Sequence, residues 1–337
     1  MRLSVPLQYA GDPVQLMEQV VALERAGLDA VWVAEAYGFD SPTLMGFLAA
    51  RTERLLIGSA ILPIYTRTPA LIAQTAAGLD AVSGGRALLG LGASGPQVIE
   101  GWHGVRYDRP LARTREVVDL CRRIWRREVI TNDGIYQLPL PDGLGKPLKM
   151  LTRPVRDAIP VYLASLGDKN VELTAEIADG WLPTLFLPEK ASSVWGKALA
   201  AGRARRSVAT PLDVVAGGLL AIGEDVTALR ELARPTVALY VGGMGARDRN
   251  FYNDLMRRYG YEAEARTIQD LYLAGRKEEA AAAVPAEFLE LSSLVGPAGH
   301  VKERVEAYRE AGVTMLNVTP VGPDPVGDVR TLREWLG

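Results

Sequence analysis

The sequence is short of the residues that most often carry chemistry on their own. It has one cysteine, Cys121, in 337 residues, so neither an internal disulfide nor a thiolate metal cage can form. Its two histidines, His103 and His300, are too few for a histidine-rich metal site, and no metal-ligand spacing, P-loop or Ser-His-Asp order is present. The net charge is −2, from 38 basic and 40 acidic residues, which gives no reason to expect nucleic acid or an anionic membrane surface as a partner. No apolar run reaches the roughly 18 residues of a membrane-spanning helix. Gly11-Asp12 interrupts the N-terminal stretch before a signal-peptide core is complete. What remains is a cytoplasmic enzyme or a protein that binds small molecules.

Glycine and proline, by contrast, are plentiful at 34 and 21 residues, beside 48% hydrophobic and 23% charged residues. The glycines recur in one joint, a helix ending in Ala-Gly or an equivalent before a short apolar run. Glu24-Arg25-Ala26-Gly27 precedes Ala30-Val31-Trp32-Val33, and Arg309-Glu310-Ala311-Gly312 precedes Met315-Leu316-Asn317-Val318. Glycine suits the left-handed position that ends a helix. The runs do not alternate between apolar and polar residues, so each strand is buried on both faces, as in a parallel sheet. Eight runs fit: 3–7, 30–34, 55–61, 87–91, 160–164, 181–186, 214–222 and 315–319. Eight strands alternating with helices predict a (β/α)8 TIM barrel with insertions, and a doubly wound open sheet is the alternative. Residues 1–337 read as one barrel domain. Within it, 128–155 is an excursion between units four and five. Residues 224–295 are a helical insertion between strands seven and eight, with no strand of their own.

A barrel carries its chemistry just beyond the C-terminal strand ends. Gln8-Tyr9 follow strand one, and Glu35-Ala36-Tyr37 follow strand two. Glu35 could orient a ligand or donate a proton, or it could sit in an ion pair with an arginine such as Arg67. Tyr65 follows strand three. His103, beyond strand four, is either a general acid or a surface histidine, and His300 reads as surface. Gly90-Leu91-Gly92-Ala93-Ser94-Gly95 matches G-x-G-x-x-G in letters only, because it follows the fourth strand and Pro96 comes next. It reads better as backbone passing close to a flat ligand. Ser165-Leu166-Gly167-Asp168-Lys169 opens a helix whose N–H groups suit an anion, with Lys169 adding charge. An N-capping Asp168 would compete for the same donors. Cys121 falls on an apolar helical face and reads as core.

These stretches resemble the luciferase-like monooxygenase superfamily, in its branch that uses the deazaflavin coenzyme F420. The matching segments include Ala30-Val31-Trp32-Val33-Ala34-Glu35-Ala36-Tyr37, Ile57-Gly58-Ser59-Ala60-Ile61-Leu62, Gly84-Gly85-Arg86, Leu91-Gly92-Ala93-Ser94-Gly95-Pro96-Gln97 and Ala178-Asp179-Gly180-Trp181. The resemblance implies a (β/α)8 barrel and a non-proline cis peptide at Ala60-Ile61 under the deazaflavin ring. It implies Glu35, Ala36, Ser59, Ala60, Ile61, Gly92, Ala93, Ser94 and Gln97 around that ring, with Ser165, Leu166, Gly167 and Lys169 at the coenzyme phosphate. A homodimer is implied in the same way. The sequence departs from the sugar-phosphate dehydrogenase branch, which carries a histidine where Ala36 stands and a glutamate where Gly95-Pro96 stand. That acid/base pair is missing, which leaves Glu35, Tyr65, His103 or water as proton donor. The expected activity is hydride transfer between F420 and a small organic substrate. The alternatives are an FMN-dependent two-component monooxygenase and, from another class, a non-catalytic flavin-binding or structural subunit.

Overall fold

The computed structural model describes residues 1–7, 11–247 and 249–337; Gln8-Tyr9, singled out at the end of strand one, lie outside them. Eight parallel strands close on themselves. They are β1 (Arg2–Leu7), β2 (Ala30–Val33), β3 (Leu56–Ser59), β4 (Ala87–Gly92), β5 (Val161–Leu163), β6 (Gly180–Trp181), β7 (Asp213–Ala216) and β8 (Met315–Asn317). Each pairs with its sequence neighbour, and β8 returns to β1. The open-sheet alternative is thereby excluded, since a closed ring has no edge strand. Strands β2 and β4 are buried along their whole length, as the non-alternating runs require.

Large rings fill the barrel interior, and glycines make room for them. Trp32 stands opposite Gly58, and Tyr162 opposite Gly180. A Cβ at Gly58 would lie 2.4 Å from the Trp32 ring, and one at Gly180 would lie 2.1 Å from Tyr162. The two rings meet edge to face at 4.9 Å, a geometry aromatic quadrupoles favour. Between β3 and β4 the register slips by one residue. Gly58 pairs with Leu88, whereas Leu62 pairs with Leu91, so residues 59–61 bulge against 89–90. The Ala60-Ile61 peptide in this bulge is cis. The Ser59 hydroxyl fills the gap in the ladder, donating to the Gly90 carbonyl at 2.8 Å and accepting from the Gly90 N–H at 3.0 Å.

The prolines start helices. Asp12, Asp40 and Thr68 each cap a helix start with a side-chain oxygen, and a proline follows within two residues. Proline fits there because the first helical N–H has no partner to lose. On the barrel's N-terminal side, the Arg86 guanidinium donates to the carbonyls of Ala49, Thr52, Leu55 and Ser83. Glu24 accepts from the N–H groups of Glu53, Arg54 and Leu55. These charges satisfy turn backbone that would otherwise be buried without partners.

The seventh apolar run divides. Asp213–Ala216 stays in the barrel, and Leu219–Ile222 leaves it to form a small parallel sheet with Leu294–Gly296 and Thr319–Pro320. The insertion therefore does contribute a strand, contrary to expectation. Leu294-Val295-Gly296 is too short for its periodicity to show and needs the barrel extension as a partner. Its other named elements are helical, with a π-helical turn at Leu239–Gly243 and an isolated bridge between Ala246 and Arg249. The excursion holds an antiparallel hairpin, Asn132–Asp133 with Gln137–Leu138.

Gly90 has no room for a side chain, since a Cβ there would lie 1.7 Å from the Ser59 carbonyl oxygen. Gly90→Ala is expected to destabilise the fold by at least ~3 kcal/mol, read as a fall in urea midpoint. Ser59→Ala, which leaves the Gly90 groups unpaired, is expected to cost ~1–3 kcal/mol in the same measurement.

Candidate active site

Glu35 leaves β2 into a bidentate ion pair. Arg67 approaches Oε1 at 2.6 Å and Oε2 at 2.9 Å, and Oε2 also accepts from the Ser41 N–H at 2.9 Å. Both partners are largely shielded, with side-chain exposures of 8% for Glu35 and 14% for Arg67. A carboxylate held by a guanidinium fork and a helix N–H is a poor proton donor. The contact ties the strand-two loop to the strand-three loop and to the start of the helix Ser41–Arg51.

Around the bulge the candidates divide. Ser59 is fully buried and its hydroxyl belongs to Gly90, so it serves the barrel wall. Gly92 makes room for Ile61, whose Cδ1 would lie 2.4 Å from an added Cβ. The glycines of the G-x-G segment therefore admit neighbouring protein as well as any ligand. Ala36 and Ser94 have φ of 47° and 58°, left-handed values that side-chain-bearing residues seldom adopt. They sit at the ends of β2 and β4, on either side of the cis peptide. Gln97 is exposed in the short helix Pro96–Gly101.

Tyr65 is buried, and its hydroxyl donates to the Asp108 carbonyl at 2.8 Å. Its ring stacks on Tyr107 at 5.1 Å, and Arg113, paired with Asp108, lies over its other side. Burial, then the neighbouring Tyr107, pushes the phenol pKa above its ordinary value. Tyr65 is thus a neutral group fully used in clamping the strand-four loop. His103 is half-buried, and its Nε2 is enclosed without a hydrogen-bond partner, so it is not a solvated surface histidine. Nor is His300, whose Nε2 lies 2.9 Å from Arg230. Burial and that guanidinium lower its pKa. Cys121 is buried, as its helical face implied.

The helix Asp168–Ile177 begins without a side-chain cap, its N-cap being Gly167. Asp168 turns away to Arg258 at 2.6 Å, so it does not compete for the helix donors. The Ser165 and Leu166 carbonyls are taken by the indoles of Trp181 and Trp195 at 2.9 and 2.8 Å, and the Ser165 hydroxyl by Thr174 at 2.8 Å. None of the N–H groups of residues 165–169 donates to another described residue. Leu166, Gly167 and Asp168 line a cleft of about 440 Å³ together with Phe251, Asp254, Leu255, Arg257 and Arg258 of the insertion helix Phe251–Arg258. Lys169 does not contribute; it is 81% exposed and pairs with Glu172. The cations of the cleft are Arg257 and Arg258, which the sequence did not single out. Nothing in the spacing between 165 and 258 signals that a distant helix closes over this loop.

Replacing Glu35 by Gln strands the Arg67 charge, and the fold is expected to lose about 3–5 kcal/mol. Converting the pair together, Glu35→Gln with Arg67→Met, is expected to recover more than half of that loss in urea denaturation. Additive losses would show that the two side chains act separately.

Residues 1–315 match the family model described as luciferase-like monooxygenase. A protein of Mycobacterium tuberculosis assigned as a coenzyme F420-dependent oxidoreductase is 41% identical, over 98% of this chain and 99% of its own length. The 5,10-methylenetetrahydromethanopterin reductase of Archaeoglobus fulgidus is 28% identical over 96% and 94% of the two chains. Among solved structures, the coenzyme F420-dependent tetrahydromethanopterin reductase of Methanopyrus kandleri superposes with a TM-score of 0.82 at 22% identity, covering 99% of this chain and 97% of that one. A closed parallel barrel with its free donors at the C-terminal mouth, matched along nearly its whole length, makes this chain a member of the luciferase-like monooxygenase family.

Proposed function

We propose that this protein is an F420-dependent oxidoreductase that transfers a hydride between the deazaflavin coenzyme and a small organic substrate. The observation that carries the reading is the unpartnered run of N–H groups at 165–169, part of which lines a cleft with Arg257 and Arg258 and with Asp168, paired to Arg258, and Asp254. Such a run at a helix start is a ready anion site, and it fits the coenzyme phosphate. When bound, the coenzyme supplies or accepts the hydride. The chain's own part is to hold and orient it. Gly167 and its neighbours with Arg257 would take the phosphate end. Ala36, Ala60, Ile61, Gly92, Ala93 and Ser94 would border the ring. The Glu35–Arg67 pair fixes the loops that carry them. His103 keeps its Nε2 enclosed and without a hydrogen-bond partner.

The 41%-identical mycobacterial relative supports F420 over the FMN-dependent two-component alternative. The free donors at the mouth support an enzyme over a non-catalytic subunit. A homodimer finds support in the excursion, where Leu140, Leu144, Leu148 and Leu151 are all exposed within one segment of the chain, since exposed apolar residues in number are a feature of surfaces that another protein covers. No helix among the described residues is long and apolar enough to cross a membrane. A cytoplasmic setting suits a chain whose one thiol is buried and unpaired.

Titration of the purified protein with oxidised F420, followed by coenzyme fluorescence, is expected to saturate in the micromolar range, with FMN binding at least tenfold weaker. Tight FMN binding with none of F420 would overturn the assignment. Arg257→Ala is expected to weaken F420 binding roughly tenfold and to flatten its dependence on salt, as loss of a charge contact to phosphate requires.

A further inference from the structure

Tyrosine hydroxyls in this fold are mostly committed. At the mouth, Tyr65, Tyr107 and Tyr136 donate to the carbonyls of Asp108, Ser94 and Ile64, and Tyr162, Tyr259, Tyr261 and Tyr308 are engaged elsewhere. Tyr37, Tyr240, Tyr252 and Tyr272 are the described tyrosines whose hydroxyls meet no hydrogen-bond partner. Tyr272 is a packing residue: its ring lies under Gly242 and Gly243, where an added Cβ would approach it to 2.5 and 2.4 Å. The other three gather over the barrel mouth.

The insertion brings them there. Tyr240 lies in the π-helical turn Leu239–Gly243. The Asn250 side-chain amide donates to the carbonyls of Tyr240 and Val241 at 3.0 Å, and Asn253 donates to Val241 at 3.2 Å, so this wide turn is held by two built contacts. Asn250 also caps the helix carrying Tyr252, and the Tyr240 and Tyr252 rings meet edge to face at 4.7 Å. Beyond the turn, the Met244 carbonyl comes within 3.9 Å of a Cβ placed on Gly95, in the strand-four loop. The helix that carries Tyr252 also lines the cleft beside Leu166 and Gly167 through Phe251 and Arg257, so Tyr252 lies at the C-terminal end of the barrel, on the insertion that meets both the strand-four and the strand-five loops. Tyr37 is 54% exposed in the strand-two loop.

The other candidate donors of the mouth are engaged or enclosed: Glu35 is held by Arg67 and Tyr65 by Asp108, and the His103 Nε2 is shut away from solvent. We propose that the Tyr252 hydroxyl donates the proton to the substrate, and that this substrate is an uncharged, planar compound whose reducible carbon is double-bonded to oxygen or conjugated with a carbonyl. The planarity follows from the tyrosine rings. The lack of charge follows from Arg67 and Arg113, the mostly shielded cations of the mouth, which are both neutralised by carboxylates. The proposal rests on the coenzyme reading above. As the substrate carbon gains a hydride, its double bond breaks and the electron pair moves to the oxygen. That oxygen takes the Tyr252 proton, and the phenolate recovers one from water. With a conjugated substrate, the resulting enol returns to the ketone or aldehyde through solvent.

The test uses 4-(dimethylamino)cinnamaldehyde, a planar enal whose absorption moves to the red when its carbonyl is hydrogen-bonded. It is added to the wild-type protein with oxidised F420 bound, so that no turnover occurs. A red shift is expected in the wild type and in Tyr272→Phe, and is expected to be lost in Tyr252→Phe, with the F420 dissociation constant unchanged within twofold. Reduction of the enal by reduced F420 is expected to fall at least 100-fold in Tyr252→Phe, the usual worth of a general acid. The proposal is overturned if the wild type neither shifts nor reduces the enal, if Tyr252→Phe keeps the shift and the rate, or if His103→Asn abolishes both while Tyr252→Phe does not. Failure of the wild type to bind F420 at all would instead remove the coenzyme reading, and this proposal with it.

Discussion

The barrel depends on one close approach. Strands β3 and β4 can meet only because Gly90 has no side chain where the Ser59 carbonyl passes. At that point the register slips, the Ser59 hydroxyl stands in for a missing rung of the ladder, and the chain turns through the Ala60-Ile61 bond. A ring of eight parallel strands tolerates no open seam, because an unpaired edge would bury backbone donors without acceptors. Everything at the mouth is hung from this seam. Strand β3 continues into the loop that holds Tyr65 and Arg67, and β4 into the loop that holds Ser94, His103 and Tyr107.

Above the seam, polar groups follow a division of labour. Most are consumed in fastening loops to one another: Glu35 with Arg67, Asp108 with Arg113 and Tyr65, Asp168 with Arg258. A buried polar group without a partner costs folding free energy, so those left unpartnered are informative about ligands. Two such sets lie at the C-terminal end of the barrel: the N–H groups of 165–169, in the loop that lines the cleft with Arg257, and the hydroxyls of Tyr240 and Tyr252 on the insertion. A ligand with an anionic end and a reactive end would meet both through one insertion, whose helix Phe251–Arg258 carries Tyr252 and Arg257.

The barrel was legible in the sequence because burial on both faces leaves an unbroken apolar signature, and because Ala-Gly joints and helix-starting prolines punctuate it. Glu35 was legible as a choice between ligand contact and ion pair, and its place after a buried strand could not decide between them. Lys169 misled for a related reason. Next to a helix start, charge alone does not say whether a long flexible side chain turns inward, and this one turns to Glu172 in solvent. The strand at Leu294–Gly296 went unseen because three residues carry no period.

Pattern and composition by themselves pointed to eight parallel strands alternating with helices and to the C-terminal strand ends as the place for chemistry. These are local or periodic properties, written wherever successive side chains share an environment. The closure of the ring, against an open sheet, was decided by the pairing of the last strand with the first. Only the tertiary structure decided which donors are free. That question turns on partners 32 residues apart for Glu35 and Arg67 and 90 apart for Asp168 and Arg258, and on an insertion folding back to bring Tyr252 and Arg257 over loops far from them in the chain. A hydrogen bond extends only about 3 Å, so whether a side chain is engaged is fixed by what lies beside it in space, and spacing along the sequence does not record it.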